Sequence, residues 1–341
     1  WMPGGLAIVA LAACALFTAF TGASGVTIVA LGALLVPALK KAGYRENFNL
    51  GLVTTSGSLG LLFAPSLPLI LYGVIAQQMS LETPVSIDDL FLAGILPGLL
   101  MLTALSMYSA WQSRHLPKSN HTFDRAEAWG AIKDSAWEIP LPFVVLGGIY
   151  GGFFAVSEAA AITAFYVLIV TVIIRREITF TQLPVVMRDS MKLVGAILLI
   201  LAVSLASTNY MIDAGVPEKV FDTIQAHVTD GFTFLLLLTI FLLILGMMLD
   251  IFSAIVIMIP IILPIAVQYG IHPIHLGILF LANMQLGYFT PPVGMNLFIA
   301  SFRFNKPVMT LYRATLPFFF ILLATVLIIT YWPGLSLLLV E

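Results

Sequence analysis

The stretch LGYFTPPVGMNLF, residues 286–298, interrupts a long apolar run with two adjacent prolines, two glycines, a threonine and an asparagine. Pro291 and Pro292 remove two backbone donors and leave carbonyls without partners. In hydrocarbon each such loss costs several kcal/mol unless another group binds the exposed atoms. The surroundings are of that kind: 60% of the residues are hydrophobic and 9% charged, and the mean hydropathy is +1.05. These values lie far outside those of a soluble domain. A spanning helix needs about 20 apolar residues, whereas barrel strands alternate in segments of about ten. The runs here are continuous and rich in Leu, Ile and Val, so the chain is expected to be an all-α polytopic membrane protein.

Several function classes drop out early. Cys14 is the only cysteine, so no intrachain disulfide exists, and the five histidines form no ligand-like cluster. His272 and His275 come closest to a metal pair and are read as exposed turn residues. A net charge of −2 with no basic run offers nothing to nucleic acid. The chain opens with Trp1 and lacks the layout of a signal peptide. It reads as a piece that begins within a longer protein.

Basic residues orient a membrane chain because cytoplasmic loops collect them. Fourteen of the fifteen fall into four groups: Lys40, Lys41 and Arg45; Arg114, Lys118, Arg125 and Lys133; Arg175, Arg176, Arg188 and Lys192; and Arg303, Lys306 and Arg313. Lys219 stands apart, and the intervening loops carry Glu82, Asp88 and Asp89, or Asp213, Glu218, Asp222 and Asp230. With all four groups inside, residues 1–111 form a first repeat: a re-entrant hairpin at 5–40, a broken helix at 48–78 and a helix at 90–111. Residues 112–138 form a cytoplasmic loop or surface helix, and 139–192 a connecting helix pair, about 139–155 and 158–174. Residues 193–341 form a second repeat, with a helix at 193–211, a hairpin at 232–269, a broken helix at 275–301 and a final helix at 314–340.

An ungapped offset of 227 residues places Pro37 on Pro264, Gly43 on Gly270, Gly60 on Gly287 and Pro65 on Pro292. The hairpin tips also coincide, Gly22 to Thr27 on Leu249 to Ala254. The turn after the first hairpin carries Lys40, Lys41 and Arg45, while the corresponding YGIHPIH carries no Lys or Arg. The copies therefore lie in opposite orientations, the plan of many secondary transporters. A simple proline kink is the plainer reading of either break taken singly. Paired, the breaks offer an oxygen cage for a cation: the carbonyls of Gly287, Thr290 and Val293, the Thr290 hydroxyl, and the tip around Gly246 and Asp250. The symmetric cage uses Gly60, Phe63 and Ser66 with the tip around Gly22 and Ser24.

Of the seventeen acidic residues, only Asp250 falls at membrane depth, where an unpaired carboxylate costs about 2.5–3.5 kcal/mol. It suits both a helix N-cap for a limb starting at Ile251 and a cation ligand.

At these residues the sequence resembles the DctM-like large permease subunit of the tripartite ATP-independent periplasmic (TRAP) transporters. The resemblance runs over nearly the whole chain, through WMPGGLAIV, GASG followed by VPALKKAGY, SGSLGLLFAPSLPLILYG, LFLAGILPG, SEAAA, GMMLD and TPPVGMNLF. It departs at Ala64, where a proline is common, and at Ala155 to Ser157, where Thr-Pro-Thr is usual. Family members usually carry further helices upstream, so the resemblance implies N-terminal truncation. It also implies an elevator fold in the bacterial inner membrane, sodium as coupling ion, and organic acid anions such as C4-dicarboxylates or sialic acid as substrates. A small four-helix membrane subunit and a periplasmic substrate-binding protein are the implied partners. Carried over by motif, the sodium positions are Gly246, Asp250, Gly287, Thr290 and Val293; those of the first repeat follow by symmetry.

With the basic groups cytoplasmic, no Lys or Arg of this chain is placed to grip an anion at the midplane. The available donors are helix N-termini at tips and breaks, with Ser24, Thr27, Ser66, Thr290 and Asn296. A site so permissive leaves selectivity mainly to the soluble partner. The competing readings are a stand-alone ion-coupled transporter of the same architecture, a channel, and a membrane enzyme, for which no suitably spaced nucleophile and base stand out.

Overall fold

The computed structural model describes residues 4–79, 83–115, 125–151 and 153–340. Trp1 to Pro3, Glu82, Lys118 with the rest of 116–124, Gly152 and Glu341 lie outside the described residues. The chain forms two compact units, one within Asn120–Leu205 and the other built from the stretches before and after it.

The first stretch runs α1 (Gly5–Thr21), α2 (Ser24–Lys41), α3 (Glu46–Ser56), a 3-10 turn at Leu59–Leu62, α4 (Leu67–Gln78) and α5 (Ile87–Gln112). The smaller unit holds α6 (Arg125–Asp134), α7 (Pro140–Tyr150), α8 (Val156–Leu168) with a π-helical extension at Ile169–Ile174, and the start of α9 (Leu183–Asp213). The rest runs α10 (Val216–Gln225), α11 (Gly231–Met248), α12 (Ile251–Gln268), α13 (Pro273–Gly287), α14 (Met295–Phe304), α15 (Val308–Tyr331) and α16 (Gly334–Leu337). Among the described residues seven stretches are long and apolar enough to cross a membrane. The helix expected at 193–211 starts ten residues earlier, at Leu183, and the expected last helix ends at Tyr331 before a separate short turn of helix. The amphipathic α10 was not anticipated; it packs on α12, with Phe221 edge-on to Tyr269.

Local chemistry sets the starts and stops. Ser86 caps α5 by accepting from the Asp88 and Asp89 N–H groups, Asp230 caps α11 through Thr233 N–H at 2.8 Å, and prolines occupy the first turns of α4, α7 and α13. Gly43 and Gly270 end the two hairpins at φ 87° and 77°, a left-handed turn that a side chain would strain.

The offset of 227 residues holds in three dimensions. Moving α2 by 227 gives the bounds of α12, and moving the start of α3 by 227 gives the start of α13. The packing is reciprocal: α2 lies on α14 and α12 on α4, while α3 lies on α15 and α13 on α5. Reciprocal contacts of this sort are the signature of a two-fold relation. Ser58 Oγ also reaches the carbonyl of Gln285, its own counterpart in the other repeat, at 3.4 Å, so the pseudo-two-fold axis passes between them. The peptide bonds entering Pro65 and Pro292 are both cis.

Close approach of these helices depends on missing side chains. A Cβ at Gly51 would lie 2.2 Å from the Ala314 carbonyl oxygen, and one at Gly94 would lie 2.0 Å from that of Leu62. Both neighbours are backbone and cannot rotate away. In the smaller unit Arg175 pairs with Glu138 at 2.9 Å and also donates to the Asp134 carbonyl, while Tyr166 donates to the Trp137 carbonyl at 2.7 Å.

Gly51→Ala is expected to destabilise the protein by about 1–3 kcal/mol, the usual range for overpacking. Its thermal midpoint in detergent should fall, while Gly130→Ala, which meets nothing within 4 Å, should leave the midpoint unchanged or slightly higher.

Candidate functional site: hairpin tips against broken helices

Neither hairpin limb α1, of 17 residues, nor the half-helix α14, of 10, spans about 30 Å of hydrocarbon alone. Their ends meet in the interior instead. In the second repeat the tip of α11 packs directly on the end of α13: a Cβ at Gly287 would lie 2.7 Å from Gly246 Cα. Gly294 N–H donates to Met247 O at 3.1 Å, tying the break to the tip, and Asn296 N–H takes up Tyr288 O at 2.9 Å. In the first repeat a Cβ at Gly60 would lie 2.1 Å from Ala15 O and 2.4 Å from Ala19 N. Ala19 is thus the counterpart of Gly246, and Ala23 that of Asp250.

This corrects the symmetric cage expected around Gly22. Gly22 ends α1 at φ 65° and faces the start of α4, where a Cβ would lie 2.8 Å from Leu67 Cβ. Gly60 and Phe63 keep their expected places in the break; Gly60 O accepts from Phe63 N–H and Phe63 O from Ser66 N–H, each at 3.1 Å. The same bond recurs as Thr290 N–H to Gly287 O at 3.0 Å. Among the described residues the carbonyls of Thr290 and Val293 take no backbone hydrogen bond, so they remain available as ligands.

The hydroxyls divide by what they already hold. Thr27 is fully buried and spends its proton on Thr18 at 2.6 Å, and Thr18 donates onward to Gly57 O at 2.9 Å. Thr27 therefore cannot donate to an anion. Thr290 donates to Leu286 O at 2.8 Å and keeps only lone pairs, which suit a cation. Ser24 donates to Asn296 Oδ1 at 2.8 Å, and Asn296 Nδ2 reaches Thr54 O at 3.5 Å, so the first tip is joined to the second break. Ser66 Oγ is fully buried and has no partner.

Asp250 is the N-cap of α12. Its Oδ1 accepts from Phe252 N–H at 3.0 Å and Ser253 N–H at 3.1 Å, and its Oδ2 accepts from the Ser253 hydroxyl. The remaining lone pairs of a half-buried carboxylate still allow a cation. Among the described residues no cluster of three His, Cys, Asp or Glu exists, so a cation held here relies on main-chain and hydroxyl oxygens. His275 differs from its reading as an exposed turn residue. It is 2% exposed within α13, with Nδ1 at 3.2 Å from Ser336 Oγ and Nε2 at 3.3 Å from Thr330 O, a structural tie to α16.

The sequence reading overlooked Thr18, Thr54, Ser58 and Gln285. The last is fully buried with neither amide atom partnered. Extending the 227-residue offset from glycines and prolines to polar residues would have paired Ser58 with Gln285 at once.

The profile of the family described as tripartite ATP-independent periplasmic transporter, DctM component, matches residues 1–335. The chain belongs to that family. As a DctM-family chain it is a multi-pass protein of the bacterial inner membrane. It is 35% identical over 338 residues to the isethionate TRAP transporter permease protein DctMQ of Oleidesulfovibrio alaskensis, covering 98% of this chain and 52% of that protein. It therefore spans about half the length of that relative. It is 34% identical over 344 residues to the C4-dicarboxylate TRAP transporter large permease protein DctM of Rhodobacter capsulatus, covering 98% of this chain and 78% of the relative. The fold is shared with the Alcanivorax borkumensis YdaH transporter, whose crystal structure was described as an unusual topology: TM-score 0.63 at 16% identity, over 97% of this chain and 82% of that one.

Removing the Asp250 cap in Asp250→Ala should cost about 1 kcal/mol of stability, whereas Asp250→Ser, which retains a capping oxygen, should lose only a few tenths. Thermal midpoints of the two variants against the wild type check this.

Proposed function

We propose that this chain is the sodium-coupled permease subunit of an importer of organic acid anions, working by an elevator motion with a small membrane subunit and a periplasmic substrate-binding protein. The observation that carries the reading is the two-fold pair of interrupted helices, each closed by a hairpin tip deep inside the fold. Such a pair presents backbone oxygens and helix ends to the same region, as a carrier of ions with an anion needs.

Each part has a role. Gly287, Thr290, Val293 and the tip at Gly246 and Asp250 hold one cation; Gly60, Phe63, Ser66 and the tip residues Ala19 and Ser24 hold a second. The anion sits between helix N-termini, and neutralising it with cations lets the moving unit cross the bilayer without a bare charge. The relatives' names point to different anions, a sulfonate in one and C4-dicarboxylates in the other. At nearly equal identity, neither fixes the substrate here. With donors so generic, the soluble partner supplies most of the selectivity.

Moving a dianion inward against an inside-negative potential costs about 4.6 kcal/mol per 100 mV, twice the single-charge figure. Two sodium ions only cancel that charge. An inside-negative potential should therefore accelerate dicarboxylate uptake into proteoliposomes if three or more sodium ions enter, and leave it unaffected if two do. Uptake that ignores the sodium gradient under both conditions would rule out sodium coupling, and uptake without any binding protein would favour a stand-alone carrier.

Asp250→Ala should raise the sodium concentration needed for half-maximal uptake or abolish uptake. A sodium curve identical to the wild type removes Asp250 from the cation site.

A further inference from the structure

The two tips differ in one respect that symmetry brings out. Asp250 caps α12 and Ala23 stands at the same position before α2. At the second tip the first N–H groups of the limb are bound by a carboxylate that belongs to the protein. At the first tip α2 has no side-chain cap, and among the described residues the N–H groups of Ser24, Gly25 and Val26 have no acceptor. The neighbouring α4 also starts without a side-chain cap, and its first residue, Leu67, abuts Gly22. Two positive helix ends thus adjoin with no internal counter-charge.

Two buried hydroxyls flank this point. Ser66, immediately before α4, is 0% exposed and its Oγ has no partner. Thr54, joined to Ser24 through the Asn296 amide, is likewise 0% exposed with an unpartnered Oγ1. A buried hydroxyl left unpaired costs free energy that a ligand oxygen would recover. The position equivalent to Ser66 in the second repeat is Val293, which has no hydroxyl to offer.

We propose that the oxyanion group of the substrate, a carboxylate or a sulfonate, is held at the first hairpin tip, between the N-termini of α2 and α4, with Ser66 donating to it. Asp250 excludes the substrate from the equivalent place at the second tip, because it fills the donors there and repels a second negative charge. The repeat pair is therefore specialised by charge: the second copy carries its own anion and attracts a cation, and the first borrows its anion from the substrate. This rests on the transport reading above and narrows it to one of the two tips.

The test uses the full transporter with its partner subunits in sodium buffer, with succinate and isethionate as probes. Anion-induced thermal stabilisation gives an apparent affinity, and sodium-driven uptake is read in vesicles. Ser66→Ala removes a hydroxyl without a protein partner, so a purely structural role predicts no loss. The expected result is a roughly tenfold weaker affinity for whichever probe the wild type binds, the loss of one hydrogen bond to a charged group. Ala23→Asp gives α2 the cap that α12 has, so its anion-free midpoint should not fall, yet its affinity should drop by about a hundredfold or beyond detection. Either variant staying within about twofold of the wild type overturns the proposal, while wild-type uptake in the same vesicles leaves the transport reading standing. No uptake of either probe by the wild type removes that reading and this proposal together.

Discussion

Unpaired main-chain groups cannot face hydrocarbon, and this constraint organises the larger unit. Pro65 and Pro292 each end a helix partway through the apolar core, which leaves carbonyls and amides that lipid cannot satisfy. The chain answers with hairpins that bring other polar backbone to the same depth. Gly294 N–H reaches Met247 O, and Gly57 O is met by the Thr18 hydroxyl. Interrupted helix and re-entrant hairpin are two halves of one solution, and neither is stable at that depth without the other.

Close contact between them requires small residues. Gly287 against Gly246 and Gly60 against Ala15 and Ala19 leave no room for a Cβ, so the breaks and tips touch through backbone. Dispersion between backbones and small side chains replaces the hydrophobic drive that is absent between helices in lipid. Exchange between repeats then locks the arrangement: each second limb lies on the broken helix of the other copy. A unit built in this way is suited to moving as a body, because its polar contacts lie inside it.

Symmetry of the backbone does not extend to the charge. The first tip carries Thr18, Ser24 and Thr27, and the second carries Asp250 and Ser253. A neutral tip and an acidic tip on the same scaffold treat cations and anions differently, as co-transport of opposite charges demands. The DctM-family assignment is consistent with that demand, while the relatives' names span chemically different anions.

Much of this was legible from residues alone. Continuous apolar runs imply helices, the proline and glycine pairs mark the breaks, and the 227-residue offset pairs the copies, because breakers act locally and leave a one-dimensional trace. Asp250 as a cap follows from its place before an apolar limb. Only the tertiary structure decided which small residue meets each break, Ala19 rather than Gly22, and that Thr27 spends its proton on Thr18 while Ser66 keeps its own. It also decided that His275 is buried against Ser336, 61 residues away in the chain. Such outcomes depend on how distant helices rotate and slide to fill space, and hydrophobic pattern does not encode that angle.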